Sequence, residues 1–198
     1  MRIINLEDKP KNKTKIFLDN GENFILSSKV LENMGLKLNS DISQELYDKT
    51  ISDLLYKDAC TKSLKYLSSS ARSTWELREN IKEYPEKIID KTIKFLSQYN
   101  YANDERFAEN FIYDCLTVKF YGKIKISFEL HNKKIAKQII DDSIEKYINN
   151  DLEYESAKKF VESHVINPKE ITLKNKLYRR GYSFGVIDLI VKEFGTKK

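Results

Sequence analysis

Apolar residues set the period of this chain. From residue 40 onward they recur every three or four positions, the spacing of one helix face. Ile42, Leu46, Ile51, Leu54, Leu55 and Ala59 form one stripe, Ile88, Ile89, Ile93, Phe95 and Leu96 another, and Phe107, Ala108, Phe111, Ile112, Cys115 and Leu116 a third. Polar punctuation separates the stripes. Ser40 or Asp41 can cap a helix running to Leu67, and Ser73 with Glu76 three residues on reads as a capping box for a helix carrying Trp75, Leu77 and Ile81. Trp75 is expected in the core between helices. Pro85 belongs in the first turn of the next helix. Asp104 opens another, which Gly122 closes. A short helix over 127–131 and a longer one over 135–147 follow. Asn150 or Asp151 opens the next round. Asn167, Pro168 and Glu170 read as a cap, a first-turn proline and a first-turn acid for a helix ending at Gly181. Ser183 caps the last helix, through Phe194.

The first 38 residues follow a different rule. Asn20–Gly21 sits between two extended apolar runs, Ile16–Leu18 and Phe24–Leu26, and suits a type I′ hairpin turn. Ser28 can cap a short helix that stops before Gly35.

The helical text repeats itself. Leu130 is matched by Leu177 47 residues later, Ile139 and Ile140 by Val186 and Ile187, Asp141 by Asp188, and Lys133–Lys134 by Arg180–Gly181. Leu77 stands 53 residues before Leu130. Each round has a long, a short and a medium helix, and a unit of that size buries only part of its apolar surface, so neighbours should stack. The expected fold is therefore mainly α: an elongated array of three tandem three-helix repeats (59–100, 101–148 and 149–198) behind a small β-hairpin and helix extension (1–58).

Composition agrees with a helical protein. Three prolines and six glycines in 198 residues leave little for turns. No uncharged run is long enough to span a bilayer, and the first residues lack the apolar core of a signal peptide. Cys60 and Cys115, on apolar helical faces and far apart, read as reduced core residues of a cytosolic protein.

Candidate enzyme chemistry is sparse. There is no GxxxxGK[ST] phosphate loop, no HExxH, and no Cys/His cluster; His131 and His164 are isolated. Asp104–Glu105 reads as helix-start chemistry and Asp141–Asp142 as a solvated face, since adjacent helical residues do not face each other. No catalytic, cofactor or metal residues are expected.

The charge pattern says more than the total of +5. Lys119, Lys123, Lys125, Lys133, Lys134 and Lys137 have Glu129 as their local acid, and Lys169, Lys174, Lys176, Arg179 and Arg180 have Glu170. Such clusters attract phosphate or an acidic partner. They also have plainer readings. The first can be a solvated lysine face, and two arginines suit the negative end of a helix that stops at Gly181.

Four segments together resemble the RecX regulatory-protein family. They are Arg72-Ser73-Thr74-Trp75-Glu76-Leu77, Asn103-Asp104-Glu105-Arg106-Phe107-Ala108, the stretch from Gly122 and Lys123 through Lys125 and Ile126 to Glu129-Leu130, and Leu177-Tyr178-Arg179-Arg180-Gly181-Tyr182. The resemblance covers about residues 60–194. Two departures stand out: Lys134 occupies a position where the family usually has glycine, so that helix end is expected to use another geometry, and Lys123 and Lys125 replace arginines, keeping charge but losing the bidentate fork. The resemblance implies a cytoplasmic, non-enzymatic regulator of the RecA recombinase in DNA repair, recombination and the SOS response. Such a regulator binds along the recombinase filament on single-stranded DNA and inhibits it. The contact residues expected on this reading are Lys123, Lys125, Lys133, Lys134, Lys137, Lys174, Lys176, Arg179 and Arg180, with Arg72 and Arg78 in the first repeat. A monomer is expected, with weak contact to the DNA phosphate backbone. The competing readings are a helical nucleic-acid-binding protein that acts without the recombinase and a helical scaffold for another protein.

Overall fold

The structure, a computed structural model, describes residues 1–165 and 169–195. The cap expected at Asn167–Pro168 lies outside the described residues. The chain forms two compact units, Met1–Ala102 and Asn103–Lys198.

Unit 1 begins with an antiparallel three-stranded meander, β1 (Ile3–Lys9), β2 (Lys13–Leu18) and β3 (Asn23–Ser27). Alternation in β2 and β3 buries Ile16, Leu18, Phe24 and Leu26 on one face. The pattern missed β1 because beyond Ile3 its residues are exposed or half-buried, so they carry no period of two. The β2–β3 turn also differs from expectation. Gly21 is left-handed (φ 85°) but Asn20 is not, the Gly21 N–H donates to the Leu18 carbonyl at 3.1 Å, and the Leu18 N–H donates to the Glu22 carbonyl at 2.9 Å. This is the three-residue hairpin loop with glycine in the left-handed bulge position, not type I′. Two consecutive left-handed residues occur instead between β1 and β2, at Lys11 (φ 65°) and Asn12 (φ 53°).

Next come α1 (Ser28–Asn33), α2 (Gln44–Leu46), a π-helical turn π1 (Tyr47–Ile51), α3 (Ser52–Leu67), α4 (Thr74–Asn80) and α5 (Glu86–Gln98). The caps are Ser27 for α1, one residue before the expected Ser28, and Ser43 for α2, two or three residues after the expected Asp41 or Ser40, each accepting a backbone N–H. The capping box at α4 forms: Ser73 Oγ accepts from the Glu76 N–H at 3.2 Å and Glu76 accepts from the Ser73 N–H at 3.0 Å. One core joins the sheet to these helices, from Ile3 and Phe24 through Ile51 and Leu55 to Leu77, Ile81 and Leu96. Trp75 is not in it and is 41 % exposed. Successive helical residues turn by about 100°, so burying Leu77 points Trp75, two residues earlier, to the opposite side.

Unit 2 contains two helical triplets, each with its own core. The first is α6 (Asp104–Asp114), a π-helical turn π2 (Cys115–Lys119), α7 (Lys123–Asn132) and α8 (Lys137–Tyr147), packed on Phe107, Ile112, Ile126, Leu130, Ile135 and Ile140. The second is α9 (Asn150–His164), α10 (Glu170–Arg179) and α11 (Phe184–Phe194), packed on Phe160, Leu173, Leu177, Tyr182, Ile187 and Ile190. Gly122 does not close the first long helix. That helix ends at Lys119 with Phe120 left-handed (φ 53°), and Gly122 is the residue before α7, which starts four residues earlier than expected. The cause is π2: the wider turn lets the Tyr121 N–H reach back to the Cys115 carbonyl at 2.9 Å, ending the helix early.

One closure recurs at four helix ends. The residue after a left-handed position returns its N–H to a leucine carbonyl five residues earlier: Leu36 to Leu31, Tyr101 to Leu96, Ile135 to Leu130 and Tyr182 to Leu177, at 2.8–3.3 Å. The left-handed residues are Gly35, Asn100, Lys134 and Gly181. Lys134 (φ 59°) therefore uses the same geometry as Gly181 (φ 76°), not a different one.

Candidate basic interface

Unit 2 is built around a head-to-tail junction between its triplets. The α10 C-terminus presents the carbonyls of Arg180 and Gly181 to the N–H groups of Gly122 (2.9 Å) and Ile124 (3.0 Å) at the start of α7. Free donors of one helix thus meet free acceptors of another, with opposed dipole ends in register. Two glycines permit this approach. A Cβ on Gly122 would fall on the Gly181 carbonyl and the Tyr182 backbone, and a Cβ on Gly181 would fall on Lys125. The glycine after the two arginines is therefore required twice, by its left-handed φ and by α7 lying against it.

Glu153, fully buried on α9, completes the junction. Its Oε1 accepts the N–H groups of Lys123 (3.0 Å) and Ser183 (3.1 Å), and its Oε2 accepts the Ser183 hydroxyl at 2.9 Å. One carboxylate therefore caps the starts of both α7 and α11. The Lys123 ammonium lies 3.8 Å from the same carboxylate. Nothing in the spacing of the sequence marked Glu153, because its partners are 30 residues away on either side. Ser156, one turn on, donates to the Leu116 carbonyl at 2.8 Å and lies 3.1 Å from the Tyr182 hydroxyl, whose ionisation burial opposes.

The two arginines take different roles. Arg180 Nη1 donates to the carbonyls of Lys119 (2.6 Å) and Phe120 (3.1 Å), and its guanidinium lies 3.9 Å from the Phe160 ring centre. Arg180 therefore closes the end of π2 in the first triplet while stacking on Phe160 of its own triplet. Arg179 points into an open pocket of about 460 Å³ with Lys125, Lys176 and Arg180, walled by Tyr121, Phe160 and His164. Lys125 lies over the Tyr121 ring at 4.2 Å. Among the described residues no carboxylate lines this pocket, and Lys125, Lys176 and Arg179 have no ion-pair partner. Four of the expected contact residues thus converge here.

The others are placed differently. Lys133 lies 5.5 Å from the Phe107 ring and 5.9 Å from Phe111, which Lys119 also covers at 4.7 Å. Lys119 therefore carries the basic surface from Arg180, which holds its carbonyl, toward Lys133. Lys134 and Lys137 are exposed at the α7–α8 link. Lys174 is paired with Asp188 at 3.4 Å. Arg72 and Arg78 belong to unit 1. Arg72 stacks on Tyr66 at 4.2 Å, and Arg78 pairs with Asp90 at 2.9 Å and with Glu86. Sequence reasoning did not place the aromatic walls Tyr121 and Phe160, and it read His164 as isolated. Among the described residues no group of His, Cys, Asp and Glu could hold a metal ion, and no helix is long and apolar enough to cross a membrane.

Comparison with known proteins agrees with this architecture. A family model described as RecX, second three-helix domain, matches residues 103–144. Regulatory protein RecX of Clostridium beijerinckii is 31 % identical over 98 % of this chain and 94 % of its own length. The RecX proteins of Finegoldia magna and Clostridium acetobutylicum are 30 % and 29 % identical, over 92 % and 96 % of this chain and 94 % of their own. A crystal structure of regulatory protein RecX shares the fold with a TM-score of 0.62 at 22 % identity, covering 96 % of this chain and 98 % of that one. RecX from Lactobacillus salivarius does so at 0.60 and 23 % identity, over 71 % and 96 %. Identity at this level, sustained from the sheet of unit 1 to the last helix of unit 2, makes the chain a member of the RecX family of non-enzymatic regulatory proteins.

Proposed function

We propose that the protein regulates the RecA recombinase in the cytoplasm by binding its filament on single-stranded DNA and inhibiting recombination. On this reading the helices from residue 59 form three tandem units (59–100, 101–148 and 149–198) behind an extension (1–58), and the monomer binds along the filament. The observation that carries the proposal is the pocket of Lys125, Lys176, Arg179 and Arg180, whose lining contains no acid among the described residues. Such a site gains from any phosphate or carboxylate that enters it, and a flexible single strand can bring a phosphate there without sequence preference. Lys119, Lys133, Lys134 and Lys137 extend the same field. Inhibition requires that the protein bind one filament state better than another, since equal binding shifts no equilibrium.

The test is co-sedimentation with RecA filaments on single-stranded DNA across a salt series, with bare DNA and bare RecA as controls. Binding should need the filament and weaken as salt rises. The double variant Lys176→Glu/Arg179→Glu should lose about tenfold in affinity, about 1.4 kcal/mol, with its helical content intact. Unchanged filament affinity in this variant removes the pocket from the interface. Equal binding to bare DNA with no effect of RecA favours a nucleic-acid-binding protein that acts alone.

A further inference from the structure

Unit 2 carries a second pocket that shares no lining residue with the basic one. It is a groove of about 390 Å³ between α6–π2 and α9, with Tyr147 at the end of α8 also lining it. Ile112, Leu116 and Ser156, all buried, form its floor. The groove has a local cause. At π2 the helix widens and its Leu116 carbonyl is held by Ser156 rather than by the helix ladder alone. The small side chain at 156 brings α9 within hydrogen-bonding distance of π2 at that point. Tyr113 and Leu152 stand on facing walls and are 67 % and 49 % exposed. Two large apolar side chains facing each other across an open floor of isoleucine and leucine are the ordinary form of a docking site for another apolar group.

The rim states which group. Glu109 on α6 and Glu155 on α9 line the groove from opposite sides, against one cation, Lys159. Lys146 is close enough to Glu109 for the two charges to interact, but it is not part of the lining. Among the described residues neither Glu109 nor Glu155 has an ion-pair partner. This acidic rim stands on a chain of net charge +5. At long range the protein attracts acids, so a preference for a basic ligand can arise only where local carboxylates outweigh the total.

We propose that this groove docks a segment of a partner protein that places one or two leucine-sized side chains between Tyr113 and Leu152 and a flanking lysine or arginine against Glu109 and Glu155. The groove volume suits two such side chains and not a folded domain. The apolar anchors supply affinity and the flanking charge sets orientation.

The experiment uses the full chain and three labelled twelve-residue peptides, read by fluorescence anisotropy: leucine anchors with lysine flanks, the same anchors with glutamate flanks, and serine at the anchor positions with lysine flanks. The first peptide should bind at least about fivefold more tightly than either of the others. Leu152→Asp should abolish that binding, and the double variant Glu109→Lys/Glu155→Lys should invert the preference toward glutamate flanks. All three replaced residues are exposed, so the fold should survive, as circular dichroism would verify. Absence of binding by the first peptide overturns the proposal. So does tighter binding of the glutamate-flanked peptide, which would report net charge alone, or equal binding of the serine peptide. If Leu152→Asp instead abolishes self-association of the free protein in sedimentation velocity, the groove belongs to a second copy of the chain and the proposal falls.

Discussion

The N–H of Gly122 donates to the carbonyl of Arg180 at 2.9 Å, seating the start of α7 on the end of α10. Neither glycine of this junction has room for a methyl group. Gly122→Ala should destabilise unit 2 by about 2 kcal/mol through overpacking against backbone that has little freedom to move. Gly181→Ala adds the cost of a left-handed alanine and should lose about 3 kcal/mol. Urea denaturation of each variant checks both values and their order. A matched Gly21→Ala substitution, strained in φ but with nothing within 4 Å, should cost about 1 kcal/mol.

Glu153→Gln keeps the size of the side chain but offers one acceptor oxygen to three donors. The loss should be about 2 kcal/mol, and Glu153→Ala should lose about 3 kcal/mol, because hydrogen bonds to a buried charge exceed ordinary ones and the donors are then stranded. Hydrogen exchange should locate the effect: the first-turn amides of α7 and α11 should lose protection together in the Gln variant, although they lie about 60 residues apart in sequence.

Lys134 holds a left-handed conformation that favours glycine. Lys134→Gly should therefore stabilise the protein by about 0.5–1 kcal/mol, after the entropy that glycine adds to the unfolded chain is subtracted. A small rise in the urea midpoint at constant m-value is the expected result.

Arg179 and Arg180, adjacent in sequence, should separate cleanly. Arg180→Ala removes the donor to two carbonyls and the stack on Phe160 and should cost about 2 kcal/mol of stability. Arg179→Ala should stay within about 0.5 kcal/mol of wild type, as surface substitutions do. Arg180→Lys should not rescue stability, because an ammonium lacks the planar fork that stacks and donates together. Arg179→Lys should keep most of the filament affinity. Thermal denaturation and co-sedimentation, run on the same four proteins, decide it.

Alkaline pH should weaken the fold. Burial pushes the Cys115 thiol up to about 11 from 9.0 and Tyr47 up to about 12 from 10.0, and it raises Tyr84 and Tyr182 in the same direction, with Asp58 adding to the rise at Tyr84. In each case the folded value lies above the unfolded one, so the stability these groups lend is fully present below about pH 9 and is lost as pH rises through the folded values. The urea midpoint should be flat from pH 7 to 8.5 and fall steadily above 9. Burial keeps the Cys115 thiol protonated at pH 8, so a thiol reagent should modify half-buried Cys60 first in the native protein.

Much of the helical plan was legible. The capping box at Ser73 and Glu76 and the last helix from Ser183 to Phe194 depend on contacts within one or two turns, and local chemistry is what a single sequence displays. Errors arose where local chemistry left more than one outcome open and packing chose between them. Trp75 was expected in the core, but Leu77 claimed the buried side of α4. Gly122 was read as a stop, yet the helix had already ended in π2 and the glycine was serving an approach from α10. Strand β1 was invisible because only Ile3 of its residues is buried, which leaves no alternation to read.

The candidate site was half legible. Clusters of lysine and arginine announce a charged surface, and Lys125, Lys176, Arg179 and Arg180 do share one pocket. Which cations are free to meet a ligand could not be read from the chain. Lys174 is held by Asp188, Arg78 by Asp90 and Glu86, and Arg180 by carbonyls about 60 residues away.

Periodicity and capping chemistry by themselves determined that this is a helical protein with a β-containing start, because each helix needs one apolar stripe and local end groups. The tertiary structure alone decided which helix end seats on which helix start, which carboxylate is buried to cap two of them, and which arginine is structural. Those outcomes depend on groups tens of residues apart meeting within hydrogen-bonding distance, and a hydrogen bond has no signature in sequence until both of its partners are placed.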